Sequence, residues 1–234
     1  MVKKKYYTAV MLLALTSLVM VGCSDDDNDN NPMGSPTPTS DVMIVHASPD
    51  APGVDILVDS DIPAVEDLSF PTNTGYVELS SGTRNVKVNV ANTTTTVIAA
   101  NLNLDPNTYY SVFAIDSVSS IEPLVLVDNL TSPAAGKAHV RFVHLSPDAP
   151  AVDIAVANGG PVVFSNVAFR EFEGFTPLDA GTYNLEVRVA GTMTVALALP
   201  GITLENGKIY TVFARGFLGG GGNQALGAEI IVNK

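Results

Sequence analysis

One ten-residue stretch occurs twice in the chain, and any fold must accommodate both copies. His46-Ala-Ser-Pro-Asp-Ala-Pro-Gly-Val-Asp55 returns as His144-Leu-Ser-Pro-Asp-Ala-Pro-Ala-Val-Asp153, identical at eight of ten positions. Gly82-Thr83 recurs as Gly181-Thr182, and Tyr110-Ser-Val-Phe-Ala114 as Tyr210-Thr-Val-Phe-Ala214. The offset grows from 98 to 99 to 100 residues, as loop insertions between strands produce. A period this long marks a duplicated domain and not a solenoid repeat.

Within each copy the pattern alternates. Val86, Val88 and Val90 share one face while Asn85, Lys87 and Asn89 share the other. Leu185, Val187 and Val189 stand likewise against Asn184, Glu186 and Arg188. Period 2 with β-branched residues is a half-buried strand. The same reading is given to Val54-Ile56-Val58, Val152-Ile154-Val156 and the segments from Tyr110 and Tyr210. Turn residues punctuate the runs at Ser80-Ser81-Gly82, Asp105-Pro106-Asn107, Asp179-Ala180-Gly181 and Glu205-Asn206-Gly207. About seven short strands per copy predict an all-β chain of two tandem antiparallel β-sandwich domains, Ig-like or transthyretin-like. Residues 41–130 form the first and 138–234 the second, joined by a link of roughly eight residues that stacks them end to end with limited freedom. Gly219 to Gly222 falls in the last hairpin of the second copy, where the first has Asp116 to Ser120.

The N-terminus is set aside from fold reasoning. Lys3-Lys4-Lys5 precedes an almost wholly apolar run from Ala9 to Val21, short for a membrane span of ~20 residues. It ends in Val19-Met20-Val21-Gly22-Cys23, which resembles a bacterial lipobox, with Met20 in place of the usual leucine. Residues 1–22 then read as a lipoprotein signal peptide and Cys23, the only cysteine, as the lipidated residue. Residues 23–40 are acidic at first and then rich in Asn, Pro, Ser and Thr. They are expected to be a disordered tether, and Ser24-Asp25-Asp26-Asp27 resembles the acidic export signal of some surface lipoproteins. Signal-peptide cleavage removes three of twelve basic residues and none of 24 acidic ones, leaving 9 − 24 = −15. So acidic a chain disfavours nucleic acid and direct contact with anionic headgroups, so membrane contact is expected through the lipid on Cys23.

The duplicated decapeptide, together with Gly181-Thr-Tyr-Asn-Leu-Glu-Val187 and Tyr210-Thr-Val-Phe-Ala214, resembles the domain-of-unknown-function family 4397. The resemblance runs from Val42 to Val232 in two copies. It implies extracytoplasmic β-sandwich modules and carries no activity. Arg84 stands where the second copy has Tyr183, a departure of the first copy.

The decapeptide is the candidate site. His46, Asp50 and Asp55, with His144, Asp148 and Asp153, offer one imidazole and two carboxylates per domain, plausible ligands for zinc or calcium. The competing reading is a rigid corner between strands: two prolines fix the backbone, and Asp50, Asp148, Ser48 and Ser146 accept backbone N–H groups. His46 falls on the face of Val42 and Ile44, and His144 on that of Val140 and Phe142, with Asp55 or Asp153 as the expected partner of the ring. The corner is the reading adopted, and no metal or cofactor is expected. The chain has no Gly-x-Ser-x-Gly elbow and no His-Glu-x-x-His, so it is read as a non-catalytic surface-binding, adhesion or structural module at the outer membrane. A metal-dependent enzyme using the His/Asp motif is the alternative. A protein or glycan ligand is the candidate partner. With no tryptophan, the aromatics available to stack on a sugar are Tyr76, Tyr109, Phe172 and Phe175.

Overall fold

A computed structural model describes residues 37–234. The expected signal peptide, the lipidated Cys23 and most of the tether lie outside the described residues. The first repeat comprises β1 (Thr39–His46), β2 (Val54–Val58), β3 (Pro63–Leu68), β4 (Asn73–Ser80), β5 (Gly82–Val90), β6 (Thr96–Leu104), β7 (Tyr109–Ile115) and β8 (Glu122–Asp128). The second repeats that order as β9 (Lys137–His144), β10 (Val152–Val156), β11 (Val162–Val167), β12 (Phe172–Asp179), β13 (Gly181–Val189), β14 (Val195–Leu204), β15 (Ile209–Arg215) and β16 (Gly227–Val232). The first strand thus begins at Thr39, inside the expected tether. The only helical turns among the described residues are Val118–Ser120 and Gly222–Gln224, each in the loop before the last strand of its repeat.

Each repeat is a sandwich of two four-stranded sheets, β4-β1-β7-β8 on β3-β2-β5-β6 and β12-β9-β15-β16 on β11-β10-β13-β14. The expectation of purely antiparallel sheets fails at one place per repeat. β1 runs parallel to β7, and β9 parallel to β15. β7 enters this sheet from β6 of the facing one, and β15 likewise from β14, so each joins its partner at the end of a long crossover, as a parallel pair requires.

Val42, Val54, Ile56, Val86, Val88, Tyr110 and Val112 fill the first sandwich, and Val140, Phe142, Ile154, Val187, Tyr210 and Val212 the second. A third core lies between the repeats. Met43, Val45, Phe113, Ile115 and Leu126 meet Val143, Leu145, Phe213 and Ile231 there. The sandwiches therefore stack face to face, and not end to end as the short link implied. This changes the reading of β7 and β15, which are buried on both faces and not on one. Tyr110, Val112 and Ala114 point into their own sandwich, while Ser111, Phe113 and Ile115 point at the other repeat. Strands covered on both sides need near-continuous apolar runs, and Val42-Met43-Ile44-Val45 and Val112-Phe113-Ala114-Ile115 supply them.

Equivalent residues face one another across this third core. Phe113 and Phe213 meet edge to face at 5.9 Å and 67°, and Arg141 reaches both Ser111 and its counterpart Thr211. An interface in which a residue meets its own equivalent is isologous, as in a two-fold dimer. At its margin Arg170 of the second repeat bonds Asp116 and Glu122 of the first at 2.9 and 2.8 Å.

Candidate functional site

The two decapeptides lead from β1 to β2 and from β9 to β10, and the structure places their polar groups almost identically. Asp55 Oδ1 accepts the N–H of Asp67 and its Oδ2 that of Asn92, both at 2.9 Å. Asp153 accepts the N–H groups of Asn166 and Gly191 at 2.7 and 2.8 Å. All four donor residues have positive φ, between 48° and 70°. Each carboxylate thus ties an irregularity in the neighbouring strand, β3 or β11, and the turn after β5 or β13 to the start of β2 or β10. Asp50 and Asp148 reach further than the corner itself: they accept the N–H of Val118 at 2.8 Å and of Leu218 at 2.7 Å, in the loops before β8 and β16. Ser146 Oγ donates to Gly216 O at 2.6 Å, the reverse of the role expected for it. Buried Ser48 Oγ has no protein partner.

His46 and His144 are fully buried. Their expected partners Asp55 and Asp153 are occupied elsewhere, and each Nε2 lies 3.0 Å from a carbonyl oxygen of its own corner, that of Pro52 or Pro150. A carbonyl only accepts, so Nε2 carries the proton and Nδ1 is left bare. Burial is the largest influence on both rings and pushes them below the usual histidine value of 6.5, outweighing the carbonyls, which favour the cation. The sign of the linkage follows. Above about pH 6.5 both states are neutral and the corner is fully stable; below it the unfolded chain takes up protons that the native rings resist, so stability falls as the medium is acidified. Urea unfolding between about pH 7.5 and 5 is expected to show this slope. His46→Gln with His144→Gln, which keeps an amide donor for each proline carbonyl, is expected to flatten it. An unchanged slope would assign the acid sensitivity to other groups.

Among the described residues no three His, Cys, Asp or Glu side chains gather closely enough to hold a metal ion. Within a decapeptide the imidazole and the two carboxylates each turn to a different backbone partner.

A second polar constellation, absent from the sequence reading, lies between the repeats. Arg141 and Asp128 form an ion pair at 2.6 Å with side chains 2% and 0% exposed. Ser111 donates to the same carboxylate at 2.6 Å, and so does the Tyr76 hydroxyl. Arg141 also donates to Thr211 Oγ1 at 2.9 Å, Thr211 to Asn233 Oδ1 at 2.8 Å, and Asn233 Nδ2 to Tyr76 Oη at 3.0 Å, closing a ring of bonds. The face of Phe175 lies 4.6 Å from the guanidinium. Burial, with the hydrogen bond to and charge of Asp128, pushes the Tyr76 phenol well above its ordinary value. One signal for this network was present in the sequence: Arg141 interrupts the apolar run Val140 to Val143 where the first copy has Met43.

Beside the network opens a cleft of about 510 Å³, floored by Asp128 and Asn233 and walled by Tyr76 and Tyr109. These rings meet at 5.3 Å and 85°. Of the other aromatics weighed for sugar stacking, Phe175 is taken up by Arg141, and Phe172 is exposed beside a separate surface depression.

The family described as Domain of unknown function (DUF4397) matches residues 40–155 and again 155–233. No curated protein matches the chain in sequence. A solved structure described as the Bacillus anthracis TIE protein is 13% identical with a TM-score of 0.25, over 76% of this chain and 34% of that one. The chain thus spans about a third of that structure's length.

Proposed function

We propose, from the premise that this chain belongs to the DUF4397 family in two copies, that it is a non-catalytic cell-envelope lipoprotein. Its paired sandwiches act as one stiff head for surface binding, adhesion or structural spacing. The observation that carries the reading is the engagement of both decapeptides by backbone groups, which holds loops and strands together and leaves no imidazole–carboxylate pair poised for chemistry. The shared third core supports the stiffness of the head. The envelope placement rests on sequence: the basic start, the apolar run and Gly22-Cys23. Cys23 is the residue that joins the protein to the outer membrane, with the acidic head held away from anionic headgroups. No nucleic acid partner is proposed for a chain of formal charge −12.

Metabolic labelling tests the anchor. Cells expressing the full chain and fed an alkynyl palmitate are expected to yield a labelled, membrane-associated protein. Cys23→Ala is expected to abolish both the label and the association. An unlabelled wild type, or a label that survives the substitution, overturns the anchoring.

A further inference from the structure

We propose that the cleft between the repeats binds a neutral saccharide, with a sugar ring against Tyr109 and hydroxyls on the amides and hydroxyls around it. This rests on the binding reading above and names its ligand class. Four observations lead to it. Size comes first: about 510 Å³ falls within the roughly 300–1,000 Å³ of small-molecule sites.

The second is charge. In a chain carrying twice as many acidic as basic residues, the one aspartate of the lining, Asp128, is neutralised by Arg141 and saturated by Ser111 and Tyr76. The ammonium of Lys234 is already held by Leu130 O and Ser132 Oγ at 3.0 and 3.3 Å. The lining side chains therefore present no unengaged carboxylate to a cation, and their one ammonium is occupied.

The third is the character of the rim. Asn107, Asn129 and Thr131 are exposed around the opening, two amides and a hydroxyl that can each donate and accept, as polyol recognition needs. Tyr109 stands on the strand face that carries Ser111 and Phe113, yet it lies past the end of the shared core and stays 37% exposed. It thus offers an aromatic surface beside hydrogen-bonding groups.

The fourth is that the site occurs once. Phe175 and Ile209 take the places of Tyr76 and Tyr109 in the second repeat, and Ile209 is fully buried. The decapeptide, which braces the fold, is kept in both copies. A tyrosine pair kept in one copy only is not required by the fold the copies share.

The test uses the full chain in a zwitterionic detergent that has no sugar headgroup. It is titrated with chitotriose, cellotriose, maltotriose and mannotriose, followed by calorimetry and saturation-transfer NMR. At least one trisaccharide is expected to bind with Kd of about 1 mM or tighter. Tyr109→Ala is expected to weaken it about tenfold, and Asn129→Ala, which also gives up the bond from Thr131 N–H to Asn129 Oδ1, several-fold. Phe172→Ala, on the exposed surface elsewhere, is expected to leave it unchanged. Silence across the panel overturns the proposal, as does binding that neither Tyr109→Ala nor Asn129→Ala weakens. Trigalacturonate is titrated beside the panel as the acidic control, and binding of it alone overturns the neutral class. The sugar is also recovered and its length checked: cleavage of a sugar bound at Tyr109 would sink the non-catalytic reading while leaving the cleft assignment standing.

Discussion

Arg141→Met is expected to lower the unfolding free energy by about 3–5 kcal/mol, because Asp128 is then buried without its counter-ion. Methionine is the residue that the first repeat carries at this position, Met43, and it fits the same interface. The loss is therefore electrostatic and not a failure of shape. The matching change is Asp128→Asn, since Asn233 holds the equivalent place in the second repeat. In the double variant the uncompensated charge is gone, and most of the loss is expected to return. A buried pair replaced on both sides is often close to neutral. Urea unfolding of wild type, both single variants and the double gives the coupling energy directly. Exposed ion pairs such as Lys87–Asp61 contribute little, and raising the salt concentration should leave the coupling at Arg141 nearly untouched. A single variant that costs less than about 1 kcal/mol would mean that water reaches Asp128 and that the network is not dry.

Phe213→Ala is the second large effect, with an expected cost of about 3–5 kcal/mol. Phe113 and Phe213 are both fully buried and meet at the centre of the third core. Removing one ring leaves its partner facing a void that two rigid sheets cannot collapse into. The consequence reaches beyond the magnitude. Each sandwich keeps its own core of Val, Ile and Leu, so weakening the shared core lowers the coupling between repeats more than the stability of either. Calorimetry is expected to show one transition for the wild type and two for Phe213→Ala. A single transition in the variant would assign the coupling to the Arg141 network and the Arg170 contacts alone.

Much of each sandwich was legible in the sequence because its grammar is local. Alternation holds from Val86 to Val88 and from Leu185 to Val187 and fails at the next pair, where Asn89 and Arg188 of the expected wet face are buried and Val90 and Val189 are half-buried; the predicted turns fall between strands. The decapeptide read as a corner, and its aspartates do hold backbone N–H groups, although Asp50 and Asp148 hold loops some 70 residues away. What was not legible is how the sandwiches meet. The link between the repeats says how far apart two ends can lie and nothing about which faces touch. Phe113 and Phe213 read as members of strands with one apolar face, because nothing local separates a face turned to another sheet from a face turned to water. The cue was the unbroken apolar runs of β1 and β7, too long for a strand with one wet side. The histidine partners were missed for a different reason. A proline carbonyl within the corner is available to any nearby donor, but no side-chain pattern advertises it.

Duplication followed by fusion has a consequence that a pair of separate chains could not reach. Were the two sandwiches identical molecules, every change in their common face would appear twice. An arginine at the position of Met43 and Arg141 would then bring two guanidinium groups toward the same Ser111–Thr211 neighbourhood, where like charges repel in a dry setting. Covalent linkage lifts that obligation. One half can carry the cation and the other the anion, as Arg141 and Asp128 do, while their counterparts Met43 and Asn233 stay uncharged. The same licence lets Tyr109 be a tyrosine on one side and an isoleucine on the other. Tandem linkage here lets the two halves specialise separately.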